Sequence, residues 1–169
     1  MTAPAKDGHC DQTFKRYIDF EGMRKEAEDE AAKHYDFAVS IFGDTPVNET
    51  FDEIKKRLTI TDDAREAYWA QPRCVAWSKK KEEMRNSWEL GFFASPDDYL
   101  ISREQFLQNA RNSAMVTHAV LKDGKWYEKG EMGYWGFVHG EKDTWENEFN
   151  KLLDSIPEDE LLSVYDCHI

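Results

Sequence analysis

The chain has 169 residues, a net charge of −12 and an aromatic content of 14%. This length suits one domain, and the aromatic content predicts a buried core, because disordered chains are poor in aromatic residues. The acidic balance argues against direct binding to nucleic acid or to an anionic membrane, since both require a basic surface.

The start of the chain predicts a loose lead-in over residues 1–18, because these residues are polar and show no period. A single domain should follow over residues 19–169, with a candidate seam near 78–98. The lead-in lacks the apolar core of a signal peptide, and no apolar run approaches the roughly 20 residues that cross a bilayer. The three cysteines are widely spaced and fit reduced thiols. We therefore expect a cytoplasmic protein with no membrane partner.

The first half of the chain predicts several helices. Apolar side chains recur at spacings of three and four between residues 20 and 35. The apolar run 37–42 fits either the end of that helix or a short strand. Thr50 and Glu53 have the spacing of a capping box, and Thr61 is a candidate N-cap for the next helix.

The last third of the chain predicts the strands. Asp123-Gly124 should form a type I′ turn between strands at 115–121 and 125–128, and residues 134–138 have the pattern of a third strand. After a further helix, residues 161–169 should close the sheet as an internal strand, because their apolar side chains do not alternate cleanly with polar ones. The expected fold class is α+β: several N-terminal helices, then a helix-covered antiparallel or mixed sheet of three to five strands.

Two groups of side chains would suit an enzyme. The Cys167 thiol could be activated by His118 or His139, which lie on or beside strands that can neighbour the last one. Glu128 and Glu131 flank a chain reversal beside four aromatic residues, where they could hydrolyse a bound sugar. However, no glycine-rich elbow follows the cysteine, and alternate aromatic residues of a strand commonly pack into the core.

No metal and no cofactor are expected. His9-Cys10 and Cys167-His168 could together supply two thiols and two imidazoles, but adjacent residues on a strand point to opposite faces. The sequence has no C-x-x-C motif and no glycine-rich phosphate-binding motif.

Two groups of residues could bind a protein partner. The first surrounds the hairpin, because exposed aromatic patches mark interaction surfaces; it consists of Trp126, Tyr127, Tyr134 and Trp135. The second belongs to the last thirty residues, in which nine acidic residues and two lysines leave a net charge of −7; it consists of Glu141, Asp143, Glu146, Glu158, Asp159 and Glu160. These carboxylates could face a basic groove, as a nucleic-acid-mimicking inhibitor does, or could simply be solvated. The aromatic group could alternatively form the contact of a homodimer.

Three C-terminal stretches, AVLKDGKWYE at 119–128, GEMGYWG at 130–136 and the ending 152–169, resemble small proteins encoded by tailed phages and prophages. The resemblance covers about the last 70 residues. It implies an accessory role in a phage or bacterial cytoplasm, and it transfers no catalytic residue, because that group has no assigned activity. We therefore predict a non-enzymatic interaction protein; the alternative is a small enzyme that uses a Cys–His or paired-glutamate site.

Overall fold

The computed structural model describes residues 12–84, 94–133 and 138–165. Within these ranges the chain forms six α-helices and six short strands. The helices are α1 Phe20–Phe42, α2 Phe51–Arg57, α3 Thr61–Trp69, α4 Pro72–Glu83, α5 Arg103–Ser113 and α6 Trp145–Asp154. The strands are β1 Gln12–Phe14, β2 Ala119–Lys122, β3 Lys125–Glu128, β4 Glu131–Met132, β5 Val138–His139 and β6 Leu161–Ser163. The predicted α+β class is confirmed.

The chain divides into two compact units. One, the α+β unit, combines Met1–Glu26 with Arg111–Ile169, and the other, the helical unit, is Ala27–Ala110. The boundaries between them fall inside α1 and α5, away from the candidate seam near 78–98. The single domain over 19–169 stays a prediction.

Local signals define the elements of the helical unit. The apolar run 37–42 continues α1, which ends before Gly43, a residue with φ of +52°. The Thr50–Glu53 capping box is present, since the Glu53 amide donates to the Thr50 hydroxyl at 3.2 Å and the Glu53 carboxylate accepts from the Thr50 amide at 2.7 Å. Thr61 is not the N-cap that the sequence predicted: the cap is Ile60, and Thr61 begins the first turn without a capping hydrogen bond.

Two clusters of buried side chains form the core of the helical unit. In the first, the indole of Trp77 packs between the rings of Phe42 and Tyr99, with ring centroids 5.8 and 5.5 Å away. The second consists of Ile54, Ala64, Tyr68 and Cys74. A short 3-10 helix, Pro96–Tyr99, supplies Tyr99 to the first cluster.

The α+β unit begins with a strand that the sequence did not predict. Gln12–Phe14 form β1, which pairs antiparallel with β6 and places Thr13 opposite Leu162. The loose lead-in is therefore wrong for residues 12–18; residues 1–11 lie outside the described part. Among the described residues, the internal last strand is also wrong over Leu161–Ser163, because β6 pairs there with β1 alone and has one open edge.

The described strands form three two-stranded antiparallel sheets, β1–β6, β2–β3 and β4–β5, where the sequence predicted one sheet of three to five strands. One reason lies at the end of β3. The Lys142 amide donates to the Lys129 carbonyl at 2.9 Å, and the Lys142 ammonium donates to the Glu128 carbonyl at 2.9 Å. The loop after β5 thus occupies backbone acceptors that a third strand would need. Of the predicted third strand, only Val138 lies within the described residues.

The core of the α+β unit is one face of α6. Trp145, Phe149 and Leu153 follow each other at four-residue spacing and are buried, while Val120, Tyr127 and Leu162 are among the side chains that pack against them. Among the helices of the described residues, none combines the length and the apolar character needed to cross a membrane.

Candidate interaction surface on the β2–β3 hairpin

The turn between β2 and β3 determines which side chains share a face. Asp123 and Gly124 have φ of +52° and +73°, as the predicted type I′ turn requires. The resulting register places Leu121 opposite Trp126 and Ala119 opposite Glu128. Because side chains alternate along a strand, these four residues lie on one face of the hairpin. We call them the hairpin face.

The opposite side of the hairpin belongs to the core. Val120 and Tyr127 are cross-strand partners, and both pack against the buried face of α6. Tyr127, which the sequence placed in the aromatic binding group, is therefore half-buried and points away from the hairpin face. Alternation explains why two adjacent aromatic residues serve different purposes.

The hairpin face carries an exposed apolar pair. Leu121 is 67% exposed and Trp126 is 58% exposed, although cross-strand apolar pairs commonly stabilise a sheet by burial. The Trp126 indole N–H donates to a Glu128 carboxylate oxygen at 2.8 Å, which orients the ring on the surface. Trp126 belongs to the predicted aromatic binding group, whereas Leu121 does not. A two-residue turn at Asp123-Gly124 nevertheless implies that Leu121 lies opposite Trp126.

Charged groups around the hairpin are largely compensated. Lys122 lies 2.7 Å from the Asp123 carboxylate, and this hydrogen bond raises the pKa of Lys122. Lys129 forms an ion pair with Glu141. The segment 122–142 contains four lysines and four acidic residues and is neutral in a chain of net charge −12.

The acidic residues predicted to bind a partner differ in their surroundings. Glu141 pairs with Lys129, and Glu158 pairs with Lys15 at 3.1 Å. The other four have no cation of the described residues within ion-pair distance; they are Asp143, Glu146, Asp159 and Glu160. Glu146 is half-buried, and the remaining three are exposed. Their negative charge is therefore available to a partner.

The described structure assembles no catalytic group from the enzyme candidates. Glu128 accepts the Trp126 indole, Glu131 lies opposite the exposed His139 on the β4–β5 pair, and His118 has a buried Nε2 atom without a hydrogen bond. Cys167, Tyr134 and Trp135 lie outside the described residues, so the Cys–His and paired-glutamate hypotheses stay predictions. No metal-binding group of three or more His, Cys, Asp or Glu side chains occurs within residues 12–84, 94–133 and 138–165.

A polar group that the sequence did not reveal lies in the helical unit. The Asn48 amide donates to the Cys74 sulfur at 3.1 Å, and the Tyr68 hydroxyl donates to the Asp97 carboxylate at 2.8 Å. Burial raises the pKa of the Cys74 thiol, which keeps it protonated and unreactive. The first contact links the α1–α2 segment to α4, the second links α3 to the 3-10 helix, and both have a structural role.

No protein-family model, no curated protein and no solved structure matches this chain.

Proposed function

We propose that this protein is a non-enzymatic interaction protein that docks on a basic protein partner through the hairpin face. The observation that carries the proposal is the paired exposure of Leu121 and Trp126 on the side of the hairpin that the core does not use. Tryptophan is the residue most enriched at the energetic centre of protein interfaces.

The hairpin face is prepared for binding in two ways. The hydrogen bond from Trp126 to Glu128 limits the rotation of the indole before a partner arrives, so less side-chain entropy is lost on binding. In addition, Tyr127 anchors the back of the same strand in the core. The exposed pair therefore stands on a supported strand.

The charge distribution supports a basic protein as the partner. The hairpin segment is neutral, whereas the chain as a whole carries −12 and its last thirty residues carry −7. A partner with an apolar pocket in a basic surface would seat Trp126 without opposing charge and would be attracted by the acidic residues. The acidic residues of this chain would repel an acidic partner.

The phage and prophage resemblance supports the setting of the proposal, a bacterial cytoplasm. If the basic partner is a nucleic-acid-binding protein, the four uncompensated acidic residues would compete with phosphates for its basic groove. Added DNA would then displace this chain from the partner.

The test is affinity capture from a bacterial lysate with the immobilised full chain, at low and at physiological salt. We expect the wild-type chain to retain a basic protein, and less of it at the higher salt concentration. Trp126→Ala should reduce retention at least tenfold, since central interface tryptophans contribute about 2 kcal/mol or more. Leu121→Ala should reduce it less.

The matched control is Trp69→Ala, because Trp69 is an exposed tryptophan (45%) on α3 of the helical unit. It should retain the partner as the wild-type chain does. Equal retention by Trp126→Ala, or no retained protein at low salt, would refute the proposal.

A further inference from the structure

A groove of about 430 Å³ opens between β3 and α6 in the α+β unit. Its lining consists of Lys125, Tyr127, Glu148, Lys151 and Leu152. It lies on the core side of the hairpin, opposite the hairpin face, and the proposed docking does not use it. It is shallow and largely open to solvent, so a bound molecule would stay partly exposed.

The two lysines of this groove are Lys125 on β3 and Lys151 on α6, and they differ from Lys122 and Lys129 in how their charge is compensated. Lys122 and Lys129 are neutralised by neighbouring carboxylates. The Lys125 ammonium instead lies 4.6 Å from the centre of the Tyr127 ring, a contact that orients the charge without cancelling it. Lys151 has no carboxylate of the described residues within ion-pair distance.

Glu148, the acidic side chain among the described residues that line the groove, forms no ion pair with either lysine in the described structure. Its carboxylate accepts a hydrogen bond from the Thr144 hydroxyl at 3.3 Å, one helical turn earlier on α6. The described lining therefore has a formal charge of +1, opposite in sign to the chain as a whole. Its apolar surface comes from the Tyr127 ring and from Leu152.

We infer that this groove binds a small organic anion in which a flat apolar ring carries a carboxylate or phosphate. The anionic group would lie between the ammonium groups of Lys125 and Lys151, which act as compact point charges that suit such oxygens. The ring would contact Leu152 and the Tyr127 ring. Glu148 would weaken the binding of any anion through repulsion.

The test is titration of the full chain with phenyl phosphate and with benzoate, followed by heteronuclear NMR. Inorganic phosphate and benzyl alcohol serve as probes for the anionic group alone and the ring alone. We expect saturable shifts at Tyr127, Lys151 and Leu152, with a millimolar Kd for the aromatic anions and weaker binding of both partial probes.

Substitutions of the charged residues predict opposite changes in Kd. Lys125→Gln and Lys151→Gln should each raise the Kd about threefold, and Glu148→Gln should lower it by a similar factor. Lys33→Gln, which replaces an exposed lysine of the helical unit, should leave it unchanged. Thermal unfolding of each variant confirms that it is folded.

Three results would overturn the inference: no saturable shift at probe concentrations up to about 20 mM, shifts centred elsewhere, or equal Kd values for the Gln variants and wild type. Trp126→Ala should leave anion binding unchanged, because Trp126 lies on the other face. Failure of the groove and failure of the proposed docking are therefore distinguishable.

Discussion

The helical unit and the α+β unit differ in how far apart along the chain the residues that define their elements lie. In the helical unit, a capping box starts α2 and a proline starts α4, so residues next to each of these two helices define where it begins. In the α+β unit, β1 pairs with β6, which lies about 150 residues later in the chain. The apolar face of α6 packs against Phe20 of α1 and against side chains of β2, β3 and β6. Local signals therefore suffice to outline the first unit but not the second.

The two units also use buried tryptophans differently. Trp77 and Trp145 are each 1% exposed and each lies at the centre of its core. The Trp145 indole N–H donates to the Thr117 carbonyl at 2.8 Å, whereas the Trp77 Nε1 atom has no hydrogen-bond partner in the described residues. The helical core thus depends on ring packing, and the α+β core on packing combined with a polar link between α6 and the start of the hairpin.

The largest expected effect comes from removing either indole. Trp77→Ala and Trp145→Ala should each lower the free energy of unfolding by about 3–5 kcal/mol, because a large cavity would form in each core. Urea unfolding monitored by circular dichroism measures this. Trp69→Ala, at an exposed site, should cost about 1 kcal/mol or less. A small effect at either buried position would show that the core of that unit is loosely packed.

A pair of glycines provides the next comparison. Gly43 ends α1 in the helical unit and Gly124 forms the hairpin turn; both have positive φ, and a Cβ atom added at either would meet open space. Substitution by alanine should cost about 1–2 kcal/mol at each site, from backbone strain alone. Urea unfolding of Gly43→Ala and Gly124→Ala should give similar losses. A much larger loss for Gly124→Ala would show that the turn supports more than its own conformation.

Replacement of each buried tryptophan by phenylalanine is a milder change and should affect the stability of the two units differently. Trp145→Phe leaves the Thr117 carbonyl without its donor, whereas Trp77→Phe removes no hydrogen bond seen in the described residues. The free energy of unfolding should therefore fall by about 1 kcal/mol more for Trp145→Phe than for Trp77→Phe. Equal losses in chemical denaturation would argue that the indole hydrogen bond contributes nothing.

The smallest expected effect is a pH dependence shared by both units. The Thr50 amide lowers the pKa of Glu53, Arg103 lowers the pKa of Asp36, and Arg24 lowers the pKa of Glu21. Because these pKa values are lower in the folded than in the unfolded chain, their stabilisation is present above the unfolded values. It is lost as the pH falls below about 4.5 for the two glutamates and below about 3.8 for Asp36, and through their lower folded values.

Unfolding free energies measured across this pH range test the assignment. Glu53→Gln combined with Asp36→Asn should make the free energy of unfolding depend less steeply on pH in the acid range. The reason is that these side chains can no longer take up a proton on unfolding. Asp52→Asn, an exposed carboxylate beside Glu53, is the matched control. An unchanged slope in the double variant would contradict the role assigned to both carboxylates.

The sequence correctly predicted the features that depend on residues close together in the chain. The Thr50 capping box, the helical class of the first half and the turn at Asp123-Gly124 all depend on residues within four positions of each other. The pairing of Gln12–Phe14 with Leu161–Ser163 could not be found in this way, because three polar or aromatic residues in a lead-in carry no periodic signal.

The candidate site was predictable in part. Trp126 follows from the aromatic pattern, and Leu121 follows from the register that the turn imposes. The sequence could not show which of Trp126 and Tyr127 is exposed and which faces the core. Alternation along the strand shows only that the two side chains lie on opposite faces. The position of the buried α6 face resolves it.

The most direct test of the account compares the stability and the binding of Trp126→Ala. We expect a free energy of unfolding within about 1 kcal/mol of wild type, together with at least a tenfold loss of partner binding. A loss of stability comparable to that of Trp145→Ala, with partner binding retained, would contradict the assignment of the hairpin face to docking.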